Sequence, residues 1–168
     1  GEGTTEALVE GMGGEYVFVE VTGPLGTKRR ARYGILGDGR TAVMEMAEAA
    51  GIILLKPEEL NPSRATTYGV GEMIMDAVKR GCREFIIGIG GSATSEGGVG
   101  MLQALGYEFK TQDGNPIRRG LQDLDRIMAI SKENVPKVLK ECHFRVACDV
   151  TNPLCGENGA VYVYGPQK

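Results

Sequence analysis

The stretch at residues 85–106, FIIGIGGSATSEGGVGMLQALG, constrains the fold more than any other part of this sequence. It begins with a short apolar run that is typical of a buried strand. It ends with apolar residues at helical spacing, followed by Gly106, which can close a helix. Six glycines lie between these parts, at residues 88–100. The stretch therefore predicts a strand, a glycine-rich loop and a helix in succession, an order typical of α/β proteins.

The glycine-rich loop has two interpretations. Glycine permits positive φ angles and close packing, so the loop can be a tight turn and nothing more. Alternatively, bare backbone N–H groups at a helix N-terminus favour an anion, and phosphate is the natural ligand. The number of glycines and the interleaved hydroxyl groups favour the second interpretation. We accordingly expect phosphate or substrate to contact the following loop residues: Gly90, Gly91, Ser92, Ala93, Thr94, Gly97 and Gly98.

The predicted fold class is α/β, with a mixed sheet, an N-terminal β-meander and helices packed around the strand–glycine loop–helix unit. The 168 residues, 42% of them hydrophobic, are enough to bury a core. The pattern before residue 85 predicts a helix at 4–12, strands at 16–22, 29–36 and 41–46, a short helix at 45–50 and a helix at 70–80. The pattern after residue 106 predicts strands at 107–109, 144–148 (buried) and 160–164, with one or two helices at 120–139.

Composition excludes several classes of partner. The net charge is −3, no stretch is strongly basic, and the chain lacks tryptophan, so we expect no nucleic acid. No segment approaches the roughly 18 consecutive apolar residues of a membrane span. The cysteines lack the spacing of zinc ligands, which favours reduced thiols in a cytoplasmic protein over a metal module. They are Cys82, Cys142, Cys148 and Cys155.

Two carboxylates are candidates for chemistry. Asp149 follows a predicted apolar strand, at the end where open α/β sheets bind ligands, and it could hold Mg²⁺ or accept a hydroxyl proton. Asn152, on a proline-fixed turn, would add a polar contact. The competing interpretation is that Asp149 and Asn152 build an Asx-type turn. Glu96 is either a second ligand-site carboxylate or an acid that complements a helix dipole.

Thr66 and Thr67 precede the predicted helix at 70–80. Their hydroxyl groups either cap this helix, which threonine's preference favours, or contact a bound ligand. A dinucleotide fingerprint, G-x-G-x-x-A, also occurs at residues 88–93, whereas the P-loop pattern is absent. The helix is predicted to begin late for such a fingerprint, near Ser95 or Glu96, and Asp113 is the only candidate for its ribose-binding acid. A non-catalytic module that binds a dinucleotide or another phosphate ligand is therefore the alternative function.

Several motifs resemble those of the bacterial glycerate kinase family. Segment 88–106 is similar to the family signature, and the resemblance extends to segments 1–4, 21–26, 33–36, 66–72, 148–156 and 164–168. Members of this family are considerably longer, so the chain is expected to be one α/β domain, residues 1–168, from a two-domain enzyme. The family usually has aspartate at the position of Glu96, one methylene shorter.

The resemblance implies ATP-dependent phosphorylation of D-glycerate, with Mg²⁺ as cofactor and 2-phosphoglycerate as the expected product. Asp149 would activate the substrate hydroxyl or hold Mg²⁺, Glu96 would be a second catalytic carboxylate, and the loop would hold phosphate or the substrate carboxylate. The cations that phosphoryl transfer needs are expected partly outside this chain. The isolated chain is expected to be nearly inactive and could form a homodimer through exposed apolar surface.

Overall fold

A computed structural model describes residues 3–168, so the first two residues of the 1–4 motif lie outside the described residues. The helices are α1 (Thr4–Gly11), α2 (Ala47–Ala50), α3 (Tyr68–Lys79), α4 (Val99–Ala104) and α5 (Ala160–Tyr164). The strands are β1 (Glu15–Thr22), β2 (Lys28–Ile35), β3 (Thr41–Glu45), β4 (Glu84–Gly88), β5 (Glu108–Lys110), β6 (Ala129–Ser131) and β7 (His143–Ala147). One sheet has the order β1-β2-β3-β4-β7, and β5 pairs with β6 in a second.

The first three strands form the predicted meander. β1 and β2 are antiparallel, with Thr22 opposite Lys28, and their turn is closed by the Gly23 N–H, which donates to the Thr27 carbonyl at 2.7 Å. β3 is antiparallel to β2. Together with the parallel pairs that follow, β3 with β4 and β4 with β7, these strands confirm the expected α/β fold with a mixed sheet.

The other half of the large sheet is parallel. β3 pairs with β4, and β4 pairs with β7, in both cases in the parallel sense. Parallel neighbours need a crossover connection, and α3 is part of the one between β3 and β4. Because parallel strands end at the same sheet edge, the loops after β3, β4 and β7 emerge together. This edge is where ligands bind in open α/β sheets.

Helix α3 covers the sheet and builds the main core. Its apolar residues Val70, Met73 and Ile74 are buried in one cluster with Tyr33 and Phe85. These positions recur at helical spacing, which explains why the pattern predicted this helix correctly.

Segment 160–164 is a helix, so the predicted last strand is wrong. The alternating β-branched and aromatic residues suggested a strand, but no strand in the part of the chain that the structure describes pairs with this segment. Instead the Val163 N–H donates to the Gly159 carbonyl at 3.1 Å, and the Tyr164 hydroxyl donates to the Asn152 side chain at 2.7 Å. The tertiary contact of Tyr164 thus outweighs the β-propensity of its neighbours.

Two further expectations need correction. The predicted helices at 120–139 are replaced by 3-10 turns at Leu124–Arg126 and Lys137–Glu141 and by β6, which pairs with β5. Strand β7 exists, but within residues 3–168 it is the edge strand of the large sheet rather than a buried one. Its Phe144 and Val146 side chains are 42% and 57% exposed, although the Phe144 ring stacks on Phe85 at 4.8 Å. An apolar run alone does not distinguish a central strand from an edge strand.

Candidate functional site

The candidate site lies where β4 and β7 end. The glycine-rich loop, residues 89–98, follows β4, and Asp149 comes two residues after the end of β7. Gly88 is the register partner of Ala147, so both segments leave the sheet at the same level. The fold therefore brings the loop and Asp149 to one edge, as their positions after apolar strands predicted.

Backbone contacts anchor the first half of the loop. The Ile52 N–H donates to the Gly91 carbonyl, and the Ala93 N–H donates to the Ala50 carbonyl, both at 2.8 Å. These two bonds make a short antiparallel bridge between Gly51 and Ser92. The loop is therefore held against the segment that follows β3.

Other backbone donors of the loop are free. Within residues 3–168, several of its N–H groups donate to no acceptor. They belong to Gly90, Gly91, Thr94, Ser95, Gly97 and Gly98. Gly91, Gly97 and Gly98 have φ between 64° and 82°, a left-handed conformation that glycine adopts readily. Clustered N–H donors of this kind can form a concave site for an anion.

Glu96 joins two helices. Its side chain is 1% exposed, and its Oε1 accepts hydrogen bonds from the Thr67 N–H at 3.0 Å and from the Thr67 hydroxyl. Its Oε2 accepts from the Gly100 N–H at 2.5 Å, and Thr67 Oγ1 accepts from the Met101 N–H at 2.8 Å. The carboxylate thus satisfies donors at the start of α3 and of α4. These contacts fit the dipole interpretation, whereas a catalytic role for Glu96 stays a prediction.

The two threonines before α3 are buried, with 2% of Thr66 and 1% of Thr67 exposed. Thr66 Oγ1 accepts a hydrogen bond from the Tyr68 N–H at 3.2 Å, at the first turn of α3. The Thr67 hydroxyl is engaged with Glu96 and Met101. Both side chains therefore take part in ordering helix starts, and ligand binding by either of them stays a prediction.

Asp149 and Asn152 differ in how their side chains are used. The Asp149 side chain is exposed and makes no hydrogen bond to the described residues, so the Asx-type turn is not formed there. Asn152 donates to the Asn158 carbonyl at 3.0 Å and accepts from the Tyr164 hydroxyl at 2.7 Å. Asp149 is thus available to a ligand, whereas the Asn152 amide holds the C-terminal segment; contact between Asn152 and substrate stays a prediction.

Lys168 is a loop contact that sequence reasoning missed. Its ammonium group donates to Ser92 Oγ at 3.0 Å and to the Thr94 carbonyl at 2.6 Å. These loop residues lie 76 and 74 positions earlier in the chain, so spacing could not reveal the contact. The one signal that the sequence offers is the resemblance of residues 164–168 to a family motif.

The residues at this edge fit a magnesium–phosphate ligand better than an all-protein metal site. Among the described residues, no three His, Cys, Asp or Glu side chains gather as metal ligands. All four cysteines are free thiols. Mg²⁺ commonly uses one or two carboxylates, several waters and phosphate oxygens. Asp149 can supply such a carboxylate, and the loop donors can hold the phosphate.

The dinucleotide geometry is not present. In that fingerprint the helix opens at the glycine turn so that its N-terminus meets the pyrophosphate. Here the helix begins at Val99, well after the fingerprint at residues 88–93, and its N-terminal donors are bound by Glu96 and Thr67. In residues 3–168 there is also no helix with the length and hydropathy needed to cross a membrane.

Comparison with known proteins identifies the family. The model of the glycerate kinase family matches residues 1–168, the whole chain. The chain belongs to the glycerate kinase family. A glycerate kinase of Haemophilus influenzae is 49% identical and a glycerate 2-kinase of Escherichia coli K12 is 48% identical, each over all of this chain and 44% of the relative.

A solved structure supports the same assignment. A crystal structure from Salmonella typhimurium LT2, described as a candidate glycerate kinase 2, superposes with a TM-score of 0.96 at 49% identity. The match covers 99% of this chain and 45% of that one. The chain thus spans less than half the length of the family members it matches. The resemblance inferred from the motifs is confirmed over the whole chain.

Proposed function

We propose that the protein catalyses the ATP-dependent phosphorylation of D-glycerate, with 2-phosphoglycerate as product, and that this chain contributes the glycine-rich part of the active site. Family membership supports the reaction class. The observation that carries the role of this chain is the shared sheet edge, from which both the loop with its free N–H groups and the segment with the unpaired Asp149 carboxylate emerge. A phosphoryl-transfer site needs these components, namely anion donors and a group that positions or deprotonates the nucleophile.

In this proposal the glycine-rich loop binds the anionic groups of the substrates. Its N–H groups are fixed dipoles, because the backbone bridge to Gly51 holds the loop in place without using them. Such preorganised donors stabilise negative charge on a phosphoryl or carboxylate group. Mg²⁺–ATP, when bound, supplies the phosphoryl group and neutralises part of its charge.

Asp149 has the role of the base or of a magnesium ligand. As a base, its carboxylate takes the proton of the glycerate hydroxyl while the hydroxyl oxygen bonds to the γ-phosphorus. The bond from that phosphorus to the oxygen leaving with ADP breaks, and the proton passes from Asp149 to solvent. Glu96 acts mainly by holding α3 and α4, which places the loop.

The test uses the full-length protein with D-glycerate, ATP and Mg²⁺, with the product identified by phosphorus NMR. We expect phosphoglycerate with phosphate on the 2-hydroxyl, and almost no turnover by the 168-residue chain alone. Asp149→Asn should lower kcat by about 10²- to 10⁴-fold, the usual contribution of general base catalysis. Asp113→Asn, at an exposed turn, is the matched control. Absence of phosphoryl transfer to glycerate by the wild type would refute the proposal.

A further inference from the structure

Lys168 places a positive charge against the glycine-rich loop. Its Nζ lies 3.0 Å from Ser92 Oγ and 2.6 Å from the Thr94 carbonyl oxygen. An ammonium group has three N–H donors, and these two acceptors engage two of them. The third donor has no acceptor in the part of the chain that the structure describes. The amine therefore has a hydrogen-bonding position left for a ligand beside the free loop N–H groups.

This charge is not balanced by an acid. No carboxylate among residues 3–168 forms an ion pair with Lys168, and both of its partners are neutral oxygens. The amine is nevertheless half-buried, and this burial lowers its pKa because the charged form loses hydration. A buried charge normally requires a partner of opposite sign. An anionic ligand at the loop would supply it.

Hydrogen bonds within residues 152–168 hold Lys168 in place. Tyr164, at the end of α5, donates a hydrogen bond from its hydroxyl to the side-chain oxygen of Asn152, which lies three residues after Asp149. A 3-10 turn at Gly165–Gln167 follows, and the Lys168 N–H donates to the Gly165 carbonyl at 3.0 Å. The segment that carries Asp149 is thus tied to the segment that carries Lys168. Lys168, which contacts the loop, and Asp149, which follows β7, thus belong to one connected unit.

We propose that Lys168 is the cationic binding residue of the glycine-rich loop and that it pairs with an anionic oxygen group of the substrates, either the carboxylate of the acid or a phosphoryl group. This inference rests on the proposed function, because it deepens the role of the same loop. Lysine is a common point-charge partner of phosphate and carboxylate groups. The proposal assigns Lys168 to direct contact with substrate and assigns Asn152 and Tyr164 to positioning.

The experiment measures binding in the full-length protein by calorimetry, with D-glycerate and inorganic phosphate as separate probes. Lys168→Met keeps the unbranched side chain to within one atom of its length and removes the charge. We expect its affinity for one probe to fall about 10- to 100-fold, the usual effect of losing a hydrogen bond to a charged group. The probe affected identifies the group bound: glycerate indicates the carboxylate, and phosphate indicates the phosphoryl group.

Two variants separate charge from structure. Lys168→Arg keeps the charge and should restore most of the lost affinity, whereas Lys168→Gln keeps a donor without charge and should not. Lys132→Met is the matched control because Lys132 is exposed and its side chain forms no hydrogen bond or ion pair with the described residues. If Lys168→Met fails to fold, the comparison of the Arg and Gln variants decides the question alone.

Measurements of binding and of turnover distinguish failure of the inference about Lys168 from failure of the proposed function. If neither probe binds the wild type, or if both bind wild type and Lys168→Met equally, the inference is overturned. If phosphate binding depends on Lys168 but the wild type transfers no phosphoryl group to glycerate, the anion site stands and the proposed function fails. If turnover occurs and Lys168→Met leaves both probe affinities, both KM values and kcat unchanged, the function stands and the role of Lys168 is refuted.

Discussion

Replacement of Glu96 by alanine tests the link between α3 and α4. The substitution removes the acceptor of the Thr67 N–H and of the Gly100 N–H, both in a buried environment. A buried donor left without a partner costs about 1–3 kcal/mol, so two donors give about 4 kcal/mol as a central value. That is a large part of the roughly 5–15 kcal/mol that stabilises a typical domain. We therefore expect Glu96→Ala to lower the free energy of unfolding by about 3–5 kcal/mol.

Urea unfolding followed by circular dichroism measures this change. Glu58→Ala removes an exposed carboxylate that forms no hydrogen bond or ion pair in residues 3–168, and it should change stability by less than about 0.5 kcal/mol. Glu96→Asp should be intermediate, because a side chain one methylene shorter can keep one of the Thr67 and Gly100 donors but cannot reach both from the same backbone position. A loss below about 1 kcal/mol for Glu96→Ala, with an unchanged urea slope, would refute the structural role given to Glu96.

Two further substitutions probe the close packing around α3. A Cβ on Gly100 would clash with the Thr66 hydroxyl and lie 3.0 Å from the Tyr68 nitrogen, so Gly100→Ala should destabilise by about 1–3 kcal/mol in urea unfolding. Gly11→Ala, in open space in α1, should be neutral or stabilising, and equal effects of both would contradict the packing argument. The buried Tyr33 hydroxyl donates to an Asp76 carboxylate at 2.7 Å, and burial, followed by this bond, raises the pKa of Tyr33 far above its usual value. Because the native state holds this proton more tightly, its stabilising contribution is complete below about pH 10 and falls by about 1.4 kcal/mol per pH unit above it. Unfolding measured from pH 8 to 11 should show this alkaline loss in the wild type and not in Tyr33→Phe; parallel curves would contradict it.

The sequence was sufficient to predict elements whose signal is local. Helix α3 and the meander have clear periodicity and glycine or proline turns, and both are present as expected. Segment 160–164 could not be predicted correctly, because its helical conformation depends on a contact between Tyr164 and Asn152. The exposure of β7 could not be predicted either, since the position of a strand within a sheet is set by the order of strands and not by the apolar run itself.

The candidate site shows the same difference between features with a local sequence signal and features that depend on long-range contacts. The placement of the loop and Asp149 at one sheet edge was predictable because both follow apolar strands, and ligands bind at that edge in open α/β sheets. Their contact with substrate stays a prediction. The use of Glu96 by Thr67 and the arrival of Lys168 depend on contacts across 29 and 76 positions, respectively, which no local pattern encodes. The positions of these candidate residues in the fold were thus predictable, whereas their hydrogen-bond partners were not.

The edge position of β7 has a consequence for the order in which the molecule assembles. Glu84 and His143, paired across β4 and β7, are 59 residues apart, whereas β1 and β2 are joined by a short turn. Loop-closure entropy therefore favours early formation of the hairpin and late addition of β7. We expect the amides of β7 to exchange with solvent faster than those of β4. A ligand that contacts both the loop and Asp149 would slow that exchange, so the last strand to join the sheet would also be the one that substrate stabilises most.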